Sequence, residues 1–146
     1  MRPQFHPAEP SDRAAIMALL TASDLPVSDL PDTLDGFLVL FDDGVLAACG
    51  GVQALDTTTG LVRSLAVAPP LRGRGLATAL LDALEERARA RGLTTLCMLT
   101  TSIEALAEGR GYRPLPRAEA PAALRATAQF QGLCPGTATI LVKEVP

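Results

Sequence analysis

Apolar residues recur along this chain at two spacings, and the switches between them mark out its elements. Ile16, Leu19 and Leu20 stand at i, i+3 and i+4, the stripe of a helix running from Pro10 to about Ala22. Pro10 suits a first helical position, and Asp12 places a carboxylate in the first turn, where the helix dipole favours it. Ser23-Asp24-Leu25-Pro26 ends this helix, and a short second helix is expected near Ser28–Leu34. Two apolar runs follow, Gly36–Phe41 and Val45–Leu55, joined by Asp42-Asp43-Gly44. An Asp-Gly between apolar runs signals a hairpin. A second turn over residues 56–60 leads into Leu61–Val67, so three strands form an antiparallel meander.

Ala68-Pro69-Pro70 stops that strand, and the spacing changes to a helical one. Leu76, Ala79, Leu80, Ala83 and Leu84 form the stripe of a helix reaching about Arg91. Glu85 and Arg89 make a favourable i,i+4 pair, Arg87, Arg89 and Arg91 complement the carbonyl end, and Gly92 is the stop. Leu93–Leu99 reads as a buried strand, Ser102–Arg110 as a short helix, and Tyr112–Leu115 as a short strand. Ala122–Ala128 follows as a helical stretch after Pro121, and Thr137–Lys143 as a last strand. This order predicts an α/β fold, a mixed sheet with helices on both faces. The length of 146 residues corresponds to one domain, residues 1–146.

Composition removes several functional classes. A net charge of −3 offers no basic footprint for nucleic acid, and five aromatics (Phe5, Phe37, Phe41, Tyr112, Phe130) are too few for a base-stacking platform. The longest uncharged stretch, Ala126–Val142, is broken by Gln129, Gln131, Gly132, Pro135 and Gly136, so no membrane span is expected. The N-terminal MRPQFHPAEP has no apolar core of a signal peptide, which points to the cytoplasm. Cys49, Cys97 and Cys134 form neither a disulfide framework nor a metal-binding pair, and His6 is the single histidine, so no metal site is expected. Cys49 and Cys97 fall inside apolar strands and read as core, while Cys134 stands before a proline in a loop. Tyr112, Met17 and Met98 read as packing residues.

The local signal with most chemical content is Arg72-Gly73-Arg74-Gly75-Leu76-Ala77, where a strand enters a glycine-rich turn and a helix leaves it. Unpaired N–H groups and the positive dipole end of a helix suit phosphate, and glycine lets backbone approach it closely. A P-loop is excluded because Lys143 is the only lysine. A dinucleotide fingerprint is disfavoured because position 78 is Thr and three antiparallel strands come first. The bland alternative is an ordinary strand-to-helix turn.

The stretch Leu65-Ala66-Val67-Ala68-Pro69-Pro70-Leu71-Arg72-Gly73-Arg74-Gly75-Leu76-Ala77 resembles the acetyl-CoA motif of the GNAT N-acetyltransferase superfamily, whose pyrophosphate loop reads Q/R-x-x-G-x-G/A. Arg72, Gly75 and Ala77 match it, and the element order matches over nearly the whole chain. Residues 99–113 and 117–138, with Phe130 and Leu133-Cys134-Pro135, resemble a small GNAT subfamily associated with arsenic resistance. The resemblance implies a mostly antiparallel GNAT sheet and acetyl transfer from acetyl-CoA to a small amino-acid-like amine, an organoarsenical among the candidate acceptors, with no metal. An amino-acid N-acetyltransferase without an arsenic role, and an acetyl-CoA-binding module without catalysis, are the alternatives. A homodimer is an open alternative to a monomer.

The resemblance also assigns roles. The backbone N–H of Leu65 polarises the thioester carbonyl, Val67 pairs with the pantetheine arm, and Arg72, Gly73, Arg74, Gly75, Leu76, Ala77 and Thr78 cradle the pyrophosphate. Many relatives carry a glutamate base four residues before the Leu65 position and a tyrosine acid four residues before the glycine at 111. Here these positions are Leu61 and Ala107. Proton transfer therefore falls to water, Glu104 or Ser102. Arg63 stands in the apolar strand on the face expected for Leu61 and Leu65. It is a candidate to hold an anionic group of the acceptor as a bidentate pair; the alternative is an ion pair with Asp56 or Glu104.

Overall fold

The structure, a computed structural model, describes residues 3–133 and 138–146. Seven strands form one sheet among these residues: β1 (His6–Pro7), β2 (Phe37–Asp42), β3 (Val45–Ala54), β4 (Thr59–Val67), β5 (Thr95–Thr100), β6 (Arg113–Leu115) and β7 (Thr139–Glu144). Their spatial order is β1-β2-β3-β4-β5-β7-β6, and every pairing is antiparallel except β4 with β5. The helices are α1 (Arg13–Ala22), α2 (Leu76–Ala90), α3 (Glu104–Gly109) and α4 (Ala122–Arg125). The mixed sheet with helices on both faces is thus realised. Strand β1, too short for a periodic signal, extends the edge beyond β2. Pro114 is tolerated in β6 because that strand lies at the other edge. The last strand begins at Thr139; its expected start at Thr137, like Cys134, lies outside the described residues.

The helices cover the sheet in two groups. Leu80, Leu81, Leu84 and Ala88 of α2 pack with Ala107 of α3 on Leu38, Ala48, Val52, Val62, Leu96 and Met98. On the other face Ile16, Leu19 and Leu20 of α1 pack on Phe37, Val39, Cys49 and Ala66, and Leu124 of α4 covers Leu61, Cys97, Ile140 and Val142. The buried stripe of α2 is Leu80, Leu81, Leu84, Glu85 and Ala88, rotated from the expected one, which had included Ala79 and Ala83. Met98 is buried as expected, whereas Met17 is 37% exposed, because Ile16 and Leu20 take the inner face of α1.

Burial of Glu85 explains that rotation. Its carboxylate accepts bonds from Lys143 Nζ on β7 at 2.7 Å and from the Tyr112 hydroxyl at 3.1 Å. Arg89, the partner expected from i,i+4 spacing, stands at 3.7 Å. A carboxylate is buried only when paired and hydrogen-bonded, and here the pairing ties α2 to the far strand of the sheet.

Residues 28–34 form turns rather than the expected short helix. Pro31 in mid-segment removes an N–H and clashes with a preceding turn. The irregular backbone is satisfied from outside instead: Arg13 donates to Pro31 O at 2.7 Å and to Leu30 O at 3.4 Å, while Leu30 and Leu34 are buried beside α1.

Two consequences can be measured. A Cβ on Gly51 would come within 2.6 Å of the fully buried Phe37 ring, which has no room to yield. Gly51→Ala should therefore cost about 1–3 kcal/mol in urea unfolding, an overpacking penalty. Burial pushes the Cys49 and Cys97 thiols from an ordinary 9.0 to about 12. Both should resist iodoacetamide at pH 8 in the folded protein and react on unfolding. Because the folded thiols hold their protons more tightly, their contribution to stability is complete below pH 9 and is lost as the pH rises from about 9 toward 12.

Candidate active site

The site begins where two parallel strands part. Pairing of β4 with β5 runs only from Thr59 opposite Thr95 to Leu61 opposite Cys97. On its other side β4 bulges: Cys49 faces Ala66 and Gly51 faces Arg63, which sets one extra residue on β4 against Gly50. Ser64 takes a φ of +58° there. Ser64 and Leu65 consequently have no register partner on either neighbouring strand. The Ser64 carbonyl accepts from Cys49 Sγ at 3.5 Å, which leaves Leu65 at the point where β4 and β5 have parted.

Two cavities open at this point. The larger, about 430 Å³, runs along Leu65, Ala66 and Val67 to the glycine-rich turn and the first turn of α2. The smaller, about 140 Å³, lies between β4 and β5, walled by Asp24, Leu25 and Pro26 on one side and by Thr100 and Thr101 on the other. Leu25, Leu65, Ser102 and Ile103 line both, so the cavities meet beside the bulge.

Most residues singled out in the sequence converge here. Leu65, Val67, Arg72, Gly73, Gly75, Leu76, Ala77, Thr78 and Ser102 line the larger cavity. Arg74 is exposed and lines neither cavity, and Glu104, the first residue of α3, also lines neither. Gly73 and Gly75 adopt φ of +80° and +79° with open space at their Cβ positions, and Gly75 caps α2 without a side-chain hydrogen bond. The first N–H groups of α2 thus point out of a turn that carries no side chain over them, the arrangement that holds an anion. Arg72 turns back, its Nε donating to Val67 O at 3.0 Å, which ties the loop to the end of β4.

Arg63 is 4% exposed and almost wholly occupied. Nη2 donates to Asp29 Oδ1 at 2.7 Å, Nη1 to Gln53 Oε1 at 2.8 Å and to Asp29 O at 3.3 Å, and Nε to Ser64 Oγ at 3.2 Å. Four of its five N–H donors are spoken for, leaving one for a ligand rather than a free bidentate fork. Its ion-pair partner is Asp29, neither Asp56 nor Glu104. Asp29 lies 34 residues upstream in the irregular segment where a short helix was expected, so spacing held no signal for the pair.

The positions of the usual acid and base are hydrocarbon in space as well as in sequence. Leu61 and Ala107 are both fully buried. The Tyr112 hydroxyl is no substitute, since it is buried against Glu85 with its pKa pushed up by desolvation and by that carboxylate. The carboxylate that does line the smaller cavity is Asp24. In the sequence it is only part of a helix stop; in the structure it follows α1 with a φ of +57° and lines the cavity. Cys49 and Cys97 lie on either side of β4, opposite Ala66 and Leu61. That offset along the strand adds to two strand spacings of about 4.8 Å each and exceeds the roughly 10 Å of a level placement. The two thiols share no site.

Comparison with known proteins agrees with this geometry. The curated relatives include the amino-acid acetyltransferase of Pseudomonas fluorescens strain Pf0-1, 35% identical over 99 residues, 67% of this chain. The chain spans only 23% of that protein's length. Among solved structures, N-acetylglutamate synthase from Neisseria gonorrhoeae complexed with coenzyme A and N-acetyl-glutamate superposes with a TM-score of 0.83 at 23% identity, over 100% of this chain and 36% of that one. Rv2747 from Mycobacterium tuberculosis, in complex with CoA, gives 0.82 at 22% identity over 99% and 100%. The profile of the Acetyltransferase (GNAT) family matches residues 4–112, and the chain belongs to that family.

Proposed function

We propose that the protein transfers an acetyl group from acetyl-CoA to the amine of a small amino-acid-like molecule. The observation that carries this reading is the meeting of the two cavities at Leu65, a residue whose backbone has no strand partner. One cavity has the length and the uncapped helix start for a phosphate-bearing donor. The other is small and bounded by a carboxylate.

Acetyl-CoA supplies the acyl group as a thioester. The amides at the start of α2, with Gly73 and Gly75, hold the pyrophosphate, and the end of β4 at Val67 pairs with the pantetheine arm as an added strand. The Leu65 N–H is placed to polarise the carbonyl, where charge develops as the amine attacks. The new C–N bond forms as the C–S bond breaks; the ammonium acceptor gives up two protons, the first before attack and the second as the amide forms, and the second ends on the sulfur. Asp24 draws the acceptor's ammonium group and takes the first proton directly or through water, and Ser102 is the hydroxyl beside the second. Arg63 fixes the wall that bears Asp24 through Asp29 and offers its remaining N–H to an acidic group of the acceptor. Lack of a glutamate at 61 and a tyrosine at 107 lowers turnover, since a positioned acid or base contributes about 10²–10⁴-fold.

The named relatives act on amino acids, which favours a plain amino acid as acceptor. An amine-bearing organoarsenical is the second acceptor class, supported by the likeness of residues 99–113 and 117–138 to the arsenic-resistance subfamily. In that case the arsenic atom belongs to the acceptor, because Cys49 and Cys97 lie too far apart to bind it together. A module that binds acetyl-CoA without catalysis is the reading to beat on Leu61 and Ala107. Coenzyme A release measured over a panel of amino acids and an amine-bearing arsenical separates the three.

At acetyl-CoA 100-fold above its Kd the folded state should gain about 2.7 kcal/mol, seen as a raised Tm, with little effect of ATP or NAD. Gly75→Glu should remove that shift while the chain still folds, since a carboxylate at the exposed turn repels the pyrophosphate. Equal shifts from all three ligands would overturn the assignment of the loop. Arg63→Ala should raise the acceptor KM by about tenfold to a hundredfold, the worth of a charge-assisted hydrogen bond, with acetyl-CoA affinity little changed. Asp24→Asn should lower kcat at neutral pH, the acceptor then entering as the free amine only at higher pH. Normal kinetics in both variants would refute the acceptor site.

A further inference from the structure

A third cavity, about 390 Å³, lies at the opposite end of β4 from the active site. That volume is in the range of about 300–1,000 Å³ usual for small-molecule sites. It is walled by the 31–36 segment, the end of β3, the turn after it and the last turn of α2. Four of its lining residues are charged: Arg87, Arg91, Asp35 and Asp56. Among the described residues none of the four forms an ion pair, although both signs line the same hollow.

The arginines suit the carbonyl end of α2, which accounts for the sign of their charge. It does not account for Arg87 Nε, which is buried and has no hydrogen-bond partner. A buried donor without a partner is costly, and native proteins rarely leave one. Arg89, two residues on and on the other face of the helix, does find a carboxylate in Glu85 at 3.7 Å. In the same hollow Asp56 is anionic at neutral pH, since the N–H groups of Thr58 and Thr59 bond its Oδ1 at 2.9 and 2.7 Å and hold its carboxyl below the ordinary value. Its second oxygen and the Asp35 carboxylate have no such bonds.

Two guanidinium groups and two carboxylates line one hollow without pairing to each other, and this complements a molecule that carries both charges. We propose that this cavity is a second ligand site, separate from the acetyl-transfer site, that binds a free amino acid as its zwitterion. The ligand carboxylate lies on Arg87 and Arg91, its ammonium on Asp35 and Asp56. Gln53, which lines the cavity, accepts from Arg63, so the ligand sits next to the node that secures the acceptor wall.

The test needs no acetyl-CoA and is independent of the proposed reaction. The ¹⁵N-labelled protein is titrated with each of the twenty free L-amino acids at millimolar concentration, and the amides of Thr33, Gly36, Gln53 and Thr57 are followed by NMR. At least one amino acid should shift these amides saturably, and Arg87→Gln/Arg91→Gln should weaken that binding at least tenfold while amides outside the cavity stay in place. Asp35→Asn, an exposed substitution, should weaken it as well and serves if the double variant unfolds. Shifts confined to amides of the cavities at Leu65, shifts that survive all these substitutions, or equal binding of succinate, which has carboxylates but no ammonium, would each overturn the proposal.

Discussion

Everything assigned to the active site depends on β4 being held by β3 and released by β5. Three residue pairs join β4 to β5 before the strands part, and the bulge at Ser64 turns the released backbone outward. A sheet that simply continued would satisfy every amide internally and leave no mid-sheet donor for a carbonyl. The bulge spends one residue to expose Leu65 and also opens the space into which the two cavities lead. On the proposed function the key donor is main chain, and the bulge in β4 lies beside it.

Around that opening the chain uses charge to fasten irregular segments. Residues 23–36 have no helix or strand, yet Asp24, Leu25 and Pro26 among them wall the smaller cavity. Arg13 caps two of their carbonyls and Arg63 binds both the backbone and the carboxylate of Asp29. Burying Arg63 is tolerable because Asp29, Gln53 and Ser64 answer its donors. On the other face Glu85 ties α2 to β7 and to the turn at Tyr112. The helix that follows the glycine-rich turn is therefore anchored in its second half to β7, the strand next to the edge.

Hydrocarbon at 61 and 107 changes what the site asks of its acceptor. A buried leucine and a buried alanine can neither take nor give a proton, so proton movement is left to groups at the cavity surface and to water. On the proposed function, such a site favours an amine that is already partly deprotonated or that meets Asp24 on entry. The glycine-rich turn and the Leu65 amide are untouched by this loss, so on the proposed function donor binding and acceptor chemistry are separable.

The sequence by itself determined β2 to β7, the hairpin, the main helices and the glycine-rich turn at Arg72–Thr78, because each is a local matter of period, turn residues and backbone freedom. It also determined that positions 61 and 107 lack acid and base. Tertiary structure alone decided the rest. The pairing of Arg63 with Asp29 joins residues 34 apart, and Asp24 lines the cavity from a left-handed turn beyond α1. The rotation of α2 follows from Glu85 finding Lys143 58 residues downstream. The failure of residues 28–34 to form a helix follows from Pro31 and from carbonyls that Arg13 satisfies at a distance. Long-range charge pairs have no period along a chain; they exist only once folding has brought their partners together.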